Sequence, residues 1–448
     1  MGGVVLPGPL WPSCAPPPPD KGDFTPAQAA RLIAGNVSPV GVTSDNYLIY
    51  REGSKAMAVR LGVAGGPFVI ADSFGLAFFK GRVAFFWSNL DYVENRGDLL
   101  AWTGGDCPRP LGRVPISEGV VEASADGSML LFATNVTSTA FDLEVAARDL
   151  SWRHILLAHV PRATDTTCGA QYRFAGGRVV ASYCDAGGYR ANLNVFEGGA
   201  QGWQMTPIAQ DVYSWSPDAT GENVFYTTTD ADASLWGGQG ASAITVDGGV
   251  SWGVLLPDAS AVLYTVGNQL RRSALPPVND PIPIVTTKFN RVQRWSADFS
   301  HVLYSTQSTY EGGERYDLLL TPTAAYNPSP RKLVTAVDAA LSRDAFSADG
   351  QFVAFLTGIS AGERTLHLHA VASGQERTVP SVGTVAAGRG GVFVFSTNLS
   401  GPGTYPATSS LRLVNAASTA PPQTIEAKVL NHSSFFVARG GRAVVYQR

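Results

Sequence analysis

FSADGQFVAFLT, residues Phe346–Thr357, carries the pattern on which the fold turns. Asp349-Gly350 has the chemistry of a tight hairpin turn, because glycine takes positive φ without a steric cost and aspartate bonds its own backbone. The run after it is apolar, β-branched and aromatic, which suits a strand buried on both faces. The same order of residues recurs as EASADGSMLLFATN at Glu122–Asn135 and SWSPDATGENVFYTTT at Ser214–Thr229. It recurs again as LPDASAVLYT at Leu256–Thr265 and WSADFSHVLYST at Trp295–Thr306. Weaker copies are TSDNYLIY (Thr43–Tyr50), FKGRVAFFW (Phe79–Trp87), FAGGRVVASY (Phe174–Tyr183), AGRGGVFVFS (Ala387–Ser396) and ARGGRAVVY (Ala438–Tyr446).

Each downstream run bears an aromatic near its end: Tyr50, Phe85, Phe132, Tyr226, Tyr264, Tyr304, Phe355, Phe395 and Tyr446, with Ser182 at that place in the fourth copy. Successive spacings run from 35 to 51 residues, the length of one four-stranded propeller blade. Two further strand-like runs separate the copies, for example YDLLLTP (Tyr316–Pro322) and RKLVTAV (Arg331–Val337). Each unit therefore reads as an a–b hairpin followed by strands c and d. Such a unit cannot bury its faces alone, and stacking around a ring buries them. An all-β propeller of antiparallel four-stranded blades is expected over residues 41–448. Ten hairpins exceed the usual four to eight blades. The last is read as closing the ring on the N-terminal unit and one more as an insertion or misreading, so eight blades are favoured within seven to nine.

The SADG and SPDA segments followed by aromatic strands resemble the repeats of TolB-like β-propellers, relatives of the WD-repeat class. The resemblance covers residues 41–448 and implies the propeller part alone, since TolB carries an N-terminal α/β domain with no counterpart here. Asp-Gly is also degraded in places, as at Asp258-Ala259 and Asp298-Phe299.

Composition agrees with many short strands and tight turns: 45% of the 448 residues are hydrophobic and 15% charged, with 48 Gly and 29 Pro. A net charge of −3 without any polybasic run argues against nucleic acid. No apolar stretch is long enough to span a bilayer. Residues 1–24 read as a proline-rich tail. Ser13-Cys14 followed by Ala-Pro-Pro-Pro-Pro-Asp also resembles the cleavage end of a bacterial lipoprotein signal, which makes Cys14 a lipidation candidate and leaves both readings open. In residues 25–40, TPAQAARLIA has a capping Thr25, Pro26 at the first helical position and Gln28 three after the cap, so a short helix is expected there.

Cys168 and Cys184 flank the RFAGGRVVASY hairpin. With a three-residue turn at Ala175-Gly176-Gly177 they face one another, which suggests a cross-strand disulfide in an extracytoplasmic, oxidising compartment. The alternative is two unpaired cysteines near strand ends. GVSWG at Gly249–Gly253 matches G-x-S-x-G, yet its flanks are blade pattern rather than a strand–turn–helix. TVDGGVSW at Thr245–Trp252 resembles the structural Asp-box turn of sialidases and other propellers, so Asp247 is read as a turn former. Asp126, Asp218, Asp258, Asp298 and Asp349 occupy equivalent turns and are read as structural. His367 and His369 alternate on one strand and share a face. No acidic or third histidine partner is identifiable from the sequence, so neither a metal nor any other cofactor is expected.

Antiparallel pairing sends all b–c and d–a connections to one end of the ring. Several b–c segments are long and polar: SNLDYVENRGD (Ser88–Asp98), CDAGGYRAN (Cys184–Asn192), STQSTYEGGERYD (Ser305–Asp317) and STNLSGPGTYPATSS (Ser396–Ser410). Tyr92, Tyr189, Arg190, Tyr310 and Tyr405 are the candidate binding residues, since amphipathic aromatics on loops suit recognition. The expected function is a monomeric, non-catalytic binding or scaffold propeller of the envelope or secreted space. It would present these loops to a protein, peptide or glycan. The alternative is a propeller enzyme acting on a glycan or small ester at the central channel.

Overall fold

The computed structural model describes residues 38–445 apart from internal stretches, the longer of them 62–65, 116–120, 163–169, 185–190, 238–242, 276–280, 338–344, 359–363, 399–407, 431–435 and 438–443. Cys14, the proline-rich tail and the helix expected at Thr25 lie outside the described residues, and the first strand, Ser38–Val42, opens inside the stretch read as lead-in.

Every described element is a strand, and the strands form antiparallel sheets in sequence order, the arrangement of an all-β propeller. All ten hairpins seen in the sequence are present. Counted along the described residues there are nine successive four-strand units and a terminal two-stranded hairpin, Phe436–Val437 on Val444–Val445. Nine such units fall at the upper bound of the seven to nine expected. In the eighth unit the a strand shrinks to a single bridge, Phe346 with Val353. The fourth and fifth units are fused: one 16-residue strand, Gly202–Pro217, pairs with Ala191–Gly199 as the d strand of one and with Asn223–Thr228 as the a strand of the next.

The turn residues act as the sequence implies. Ser124 Oγ donates to Asp126 Oδ1 (2.7 Å) and accepts the Met129 amide (2.9 Å), while Asp126 Oδ1 also accepts the Ser128 amide (3.0 Å). The clamp repeats at Ser296–Asp298 (2.7 Å) and Ser347–Asp349 (2.6 Å), and the weak first copy keeps it as Thr43–Asp45 (2.6 Å). The turn position after Asp takes positive φ in most copies, by Gly127 (71°) and Gly350 (70°) but also by Ala259 and Phe299 (both 56°) where the Asp-Gly is degraded; after Asp218 it is Gly221 (72°), three residues on, that does so.

The b strands lie between neighbouring sheets, so both faces are apolar. The aromatics expected to anchor them, Tyr50, Phe85, Phe132, Tyr226, Tyr264, Tyr304, Phe355 and Phe395, are all buried, each contributing about 1.5–3 kcal/mol over exposure. Ser182, the exception, is buried as well and accepts a hydrogen bond from Trp215 Nε1 at 2.8 Å, so the next unit's indole occupies the space. First strands of successive units touch one another, through Lys80–Glu122 (2.9 Å) and the Trp252–Trp295 stack (6.1 Å), as strands around a propeller axis must. Arginines tie units together further out. Arg331 donates to the carbonyls of Ala370 and Val371 in the next unit, Arg377 to those of Asn415, Ser418 and Ala420, and Arg153 to that of Leu111. A planar fork with five donors suits this task, and lysine does not replace it.

Candidate functional site

The fourth unit's ladder is regular until its b–c end. There the pairing of Ala191–Gly199 with the long strand slips twice, between Ala191 and Leu193 and again between Leu193 and Asn194. Each slip leaves an extra residue on the long strand, bends it and opens the sheet. At that place lies a cavity of about 290 Å³ lined by Tyr183, Asn192, Asn194, Pro207, Ile208, Ala209 and Gln210. Three amides, one phenol and apolar backbone neighbours line it, with no charged side chain among the described lining residues. Asn194 is buried (3% exposed), and its Nδ2 has no hydrogen-bond partner among the described residues. Whichever way the amide is turned, one polar end of a buried group is left unmatched.

The expected loop residues fare unevenly. Tyr92 stands 79% exposed with Val93 beside it, held out by Asp91, whose Oδ1 accepts the amides of Val93 (3.0 Å) and Glu94 (3.1 Å). Tyr189, Arg190 and Tyr405 lie outside the described residues. The segment around Tyr310 is not the long loop read from its polarity. The b strand runs to Tyr310 and the c strand starts at Gly313, so Tyr310 sits beside the tip of an extended hairpin. The cavity lies at the b–c end of the fourth unit, and its floor was not anticipated from the sequence. Pro207 inside a strand pattern was the available sign, since proline in a strand marks an edge or a bulge.

The hairpin register also differs from expectation. Ala175 pairs with Arg178 and Phe174 with Val179, so the turn is the two residues Gly176-Gly177 rather than three. That one-residue change removes the argument that set Cys168 opposite Cys184. Cys184 is nonetheless disulfide-bonded, as is Cys107; Cys168 lies outside the described residues. Cys184 follows Tyr183 directly, so its disulfide tethers the rim of the cavity.

Ser251 lies within the strand Val250–Leu255, its Oγ 2.8 Å from Thr265 Oγ1, so the G-x-S-x-G string forms no nucleophile elbow. Asp247 turns the chain by accepting the Gly248 amide (2.8 Å). It also accepts from Tyr264 Oη (3.1 Å) and Arg271 Nη1 (2.9 Å), a cross-link the sequence did not suggest. Burial and the Asp247 carboxylate push the Tyr264 phenol upward.

His367 and His369 do share a face, and they have the acidic neighbour that sequence reading did not find. His369 pairs directly with Glu376 across the c–d ladder. Glu376 Oε1 lies 2.7 Å from His367 Nδ1 and 3.6 Å from His369 Nε2. Burial lowers the affinity of His369 for a proton. Counting register back from the c–d turn would have put Glu376 there.

No family model matches the chain, and no curated protein matches it. Among solved structures, the tricorn protease aligns at 9% identity over 91% of this chain and 44% of that one, with a TM-score of 0.36. The chain thus spans less than half of that protein. The WD40 domain of SCAP from fission yeast aligns at 9% identity over 75% of this chain and 93% of its own, at 0.39. TolB from Acinetobacter baumannii aligns at 12% over 67% and 82%, at 0.30. No described helix is long and apolar enough to cross a membrane.

Proposed function

We propose that this chain is a non-catalytic binding or scaffold propeller of the extracytoplasmic space that presents its b–c end to a protein, peptide or glycan. One observation carries the reading: the bulged b–c end of the fourth unit opens a cavity with an unmatched buried amide, Asn194, facing the same end as the exposed Tyr92. A propeller offers that end as a rigid platform, and a site on strands is held more precisely than one on loops alone. Amides and a tyrosine without charge favour a neutral polyhydroxyl ligand, so a glycan is the preferred member of the three. Disulfides at Cys107 and Cys184 support an oxidising compartment. In this reading the terminal hairpin closes the ring on the first unit, and the protein acts as a monomer.

The test is an immobilised array of neutral glycans and peptides, probed with the full chain and with Asn194→Leu and Tyr92→Ala. Glycan signals that vanish in the Asn194 variant support the reading. Signals equal in wild type and variant, or none on either array, refute it.

A further inference from the structure

The eighth unit holds a cluster that the binding reading does not use. His367 and His369 lie on its c strand, Thr365–Ala370, and Glu376 opens its d strand, Glu376–Val379. One donor atom from each of the three lies within 4.8 Å of the others. The cluster sits toward the c–d turn, at the opposite end of the propeller from the cavity.

Two features of the histidines go beyond proximity. The His369 side chain is only 6% exposed, and neither of its ring nitrogens has a hydrogen-bond partner among the described residues. A neutral imidazole carries one N–H and one lone pair, and burying both unmatched is unfavourable. Its ring stacks on Phe355 (5.5 Å, 11°), which fixes its plane and offers no hydrogen bond. His367 stacks on the same phenyl ring (4.8 Å, 3°), and its Nε2 lies 2.8 Å from Thr357 Oγ1. When Nε2–H donates to that hydroxyl, the Nδ1 lone pair points at the Glu376 carboxylate. In that tautomer a cation between the two acceptors satisfies both; in the other, Nδ1–H donates to Glu376 and Nε2 accepts from the Thr357 hydroxyl, so the ring is held in the same place with and without an ion. Histidines that bind metals anchor their second nitrogen in this manner.

We propose that His367, His369 and Glu376 form a binding site for a divalent transition-metal ion of the zinc type, with Thr357 as a positioning residue. Two imidazole nitrogens and one carboxylate suit zinc and its neighbours, whereas calcium and magnesium prefer oxygen throughout. Ligand atoms around tetrahedral zinc lie about 3.3 Å apart, so Glu376 Oε1 must move about half an ångström from His367. Its side chain is 43% exposed and has room to swing. That open side admits the ion and leaves a fourth position for water. The Arg331 guanidinium, fixed on the carbonyls of Ala370 and Val371, adds positive charge nearby and holds the affinity down. The ligands span strands c and d, so the ion clips a four-residue outer strand to its sheet.

The test uses the full untagged chain, stripped with chelator and titrated with zinc chloride. Calorimetry and elemental analysis give affinity and stoichiometry, and cobalt(II) substitution gives a visible spectrum. One ion per chain is expected, with affinity falling about tenfold or more in each of His367→Gln, His369→Gln, Glu376→Gln and Thr357→Val. The melting temperature should rise with zinc in the wild type and not in the ligand variants. His369→Leu fills the buried site with an apolar group and supplies a folded ligand-deletion variant if the glutamine fails to fold. Absence of binding in the wild type overturns the proposal. So does an affinity unchanged in all four variants, which would place the ion on other histidines such as the half-buried His154 or the exposed His159.

Discussion

Replacing Asn194 by leucine should stabilise the protein while removing ligand binding. Asn194 is 3% exposed and its Nδ2 is unmatched, so the native state bears the desolvation of one amide end without a compensating bond. That penalty is about 1–3 kcal/mol for a buried neutral donor. Leucine keeps the branching of asparagine and removes the polar atoms; its larger side chain has the adjoining cavity to extend into, and its neighbours across the ladder, Ala181 and Pro207, are apolar. A gain of about 1–2 kcal/mol is therefore expected. If all 448 residues unfold together, the entropy of unfolding makes that a rise of about 1–2 °C in Tm. A larger rise would show that the fused fourth and fifth units melt on their own. Calorimetry together with urea unfolding separates the two cases. A leucine variant less stable than wild type by about 1 kcal/mol or more would refute the argument, since it would mean that the Asn194 amide is satisfied in solution and serves the fold.

Three further outcomes are expected. Gly127→Ala should cost about 1–2 kcal/mol from its positive φ alone, because an added Cβ meets nothing nearer than Val83 Cγ2 at 3.5 Å. Gly176→Ala should cost more, since its Cβ would lie 2.9 Å from Thr220 O, and paired urea titrations read the difference. The Asp126 carboxyl is held below its usual range by the Ser128 amide and the Ser124 hydroxyl, and Asp258 by the Ser260 amide and hydroxyl. At Asp298 the Ser296 hydroxyl and Ser300 outweigh the opposing effect of burial. A depressed folded value means stability that is present above the ordinary carboxylate range and lost as pH falls through the folded values. Acid unfolding should therefore begin below about pH 4, and Asp126→Asn should flatten that limb in a circular-dichroism titration. Reduction should destabilise the chain by about 2–4 kcal/mol per structural disulfide. A non-reducing peptide map should find both Cys107 and Cys184 in disulfide-linked peptides, and either of them recovered as a free thiol would refute the expectation.

The fold was legible because the turn clamp and the buried aromatic recur in phase, and a periodic signal survives the loss of single residues. Ala259 and Phe299 show the limit of reading composition: both adopt the glycine conformation that their side chains disfavour, held there by the serine–aspartate clamp around them. Loops were harder. Polarity made Ser305–Asp317 look like a loop, yet the b and c strands continue through it in register, and Tyr310 ended in a ladder. The cavity depends on two register slips, and a slip leaves no mark in local composition apart from Pro207. Glu376 was missed for a related reason: contacts between c and d strands follow turn length, and a one-residue miscount moves every partner, as the Gly176-Gly177 hairpin showed.

The strand Gly202–Pro217 sets where this chain can be cut and rejoined. At the other junctions between units the d strand ends before the next a strand begins, so moving the chain termini there severs only a connection. Between the fourth and fifth units the chain crosses inside one strand, bending at Asp211 with a positive φ of 61°. Val212 pairs at once with Ala191 behind and Thr228 ahead. Circular permutants opened at residues 210–212 would break two ladders at one stroke, and those two units should be inherited, expressed and unfolded as a pair.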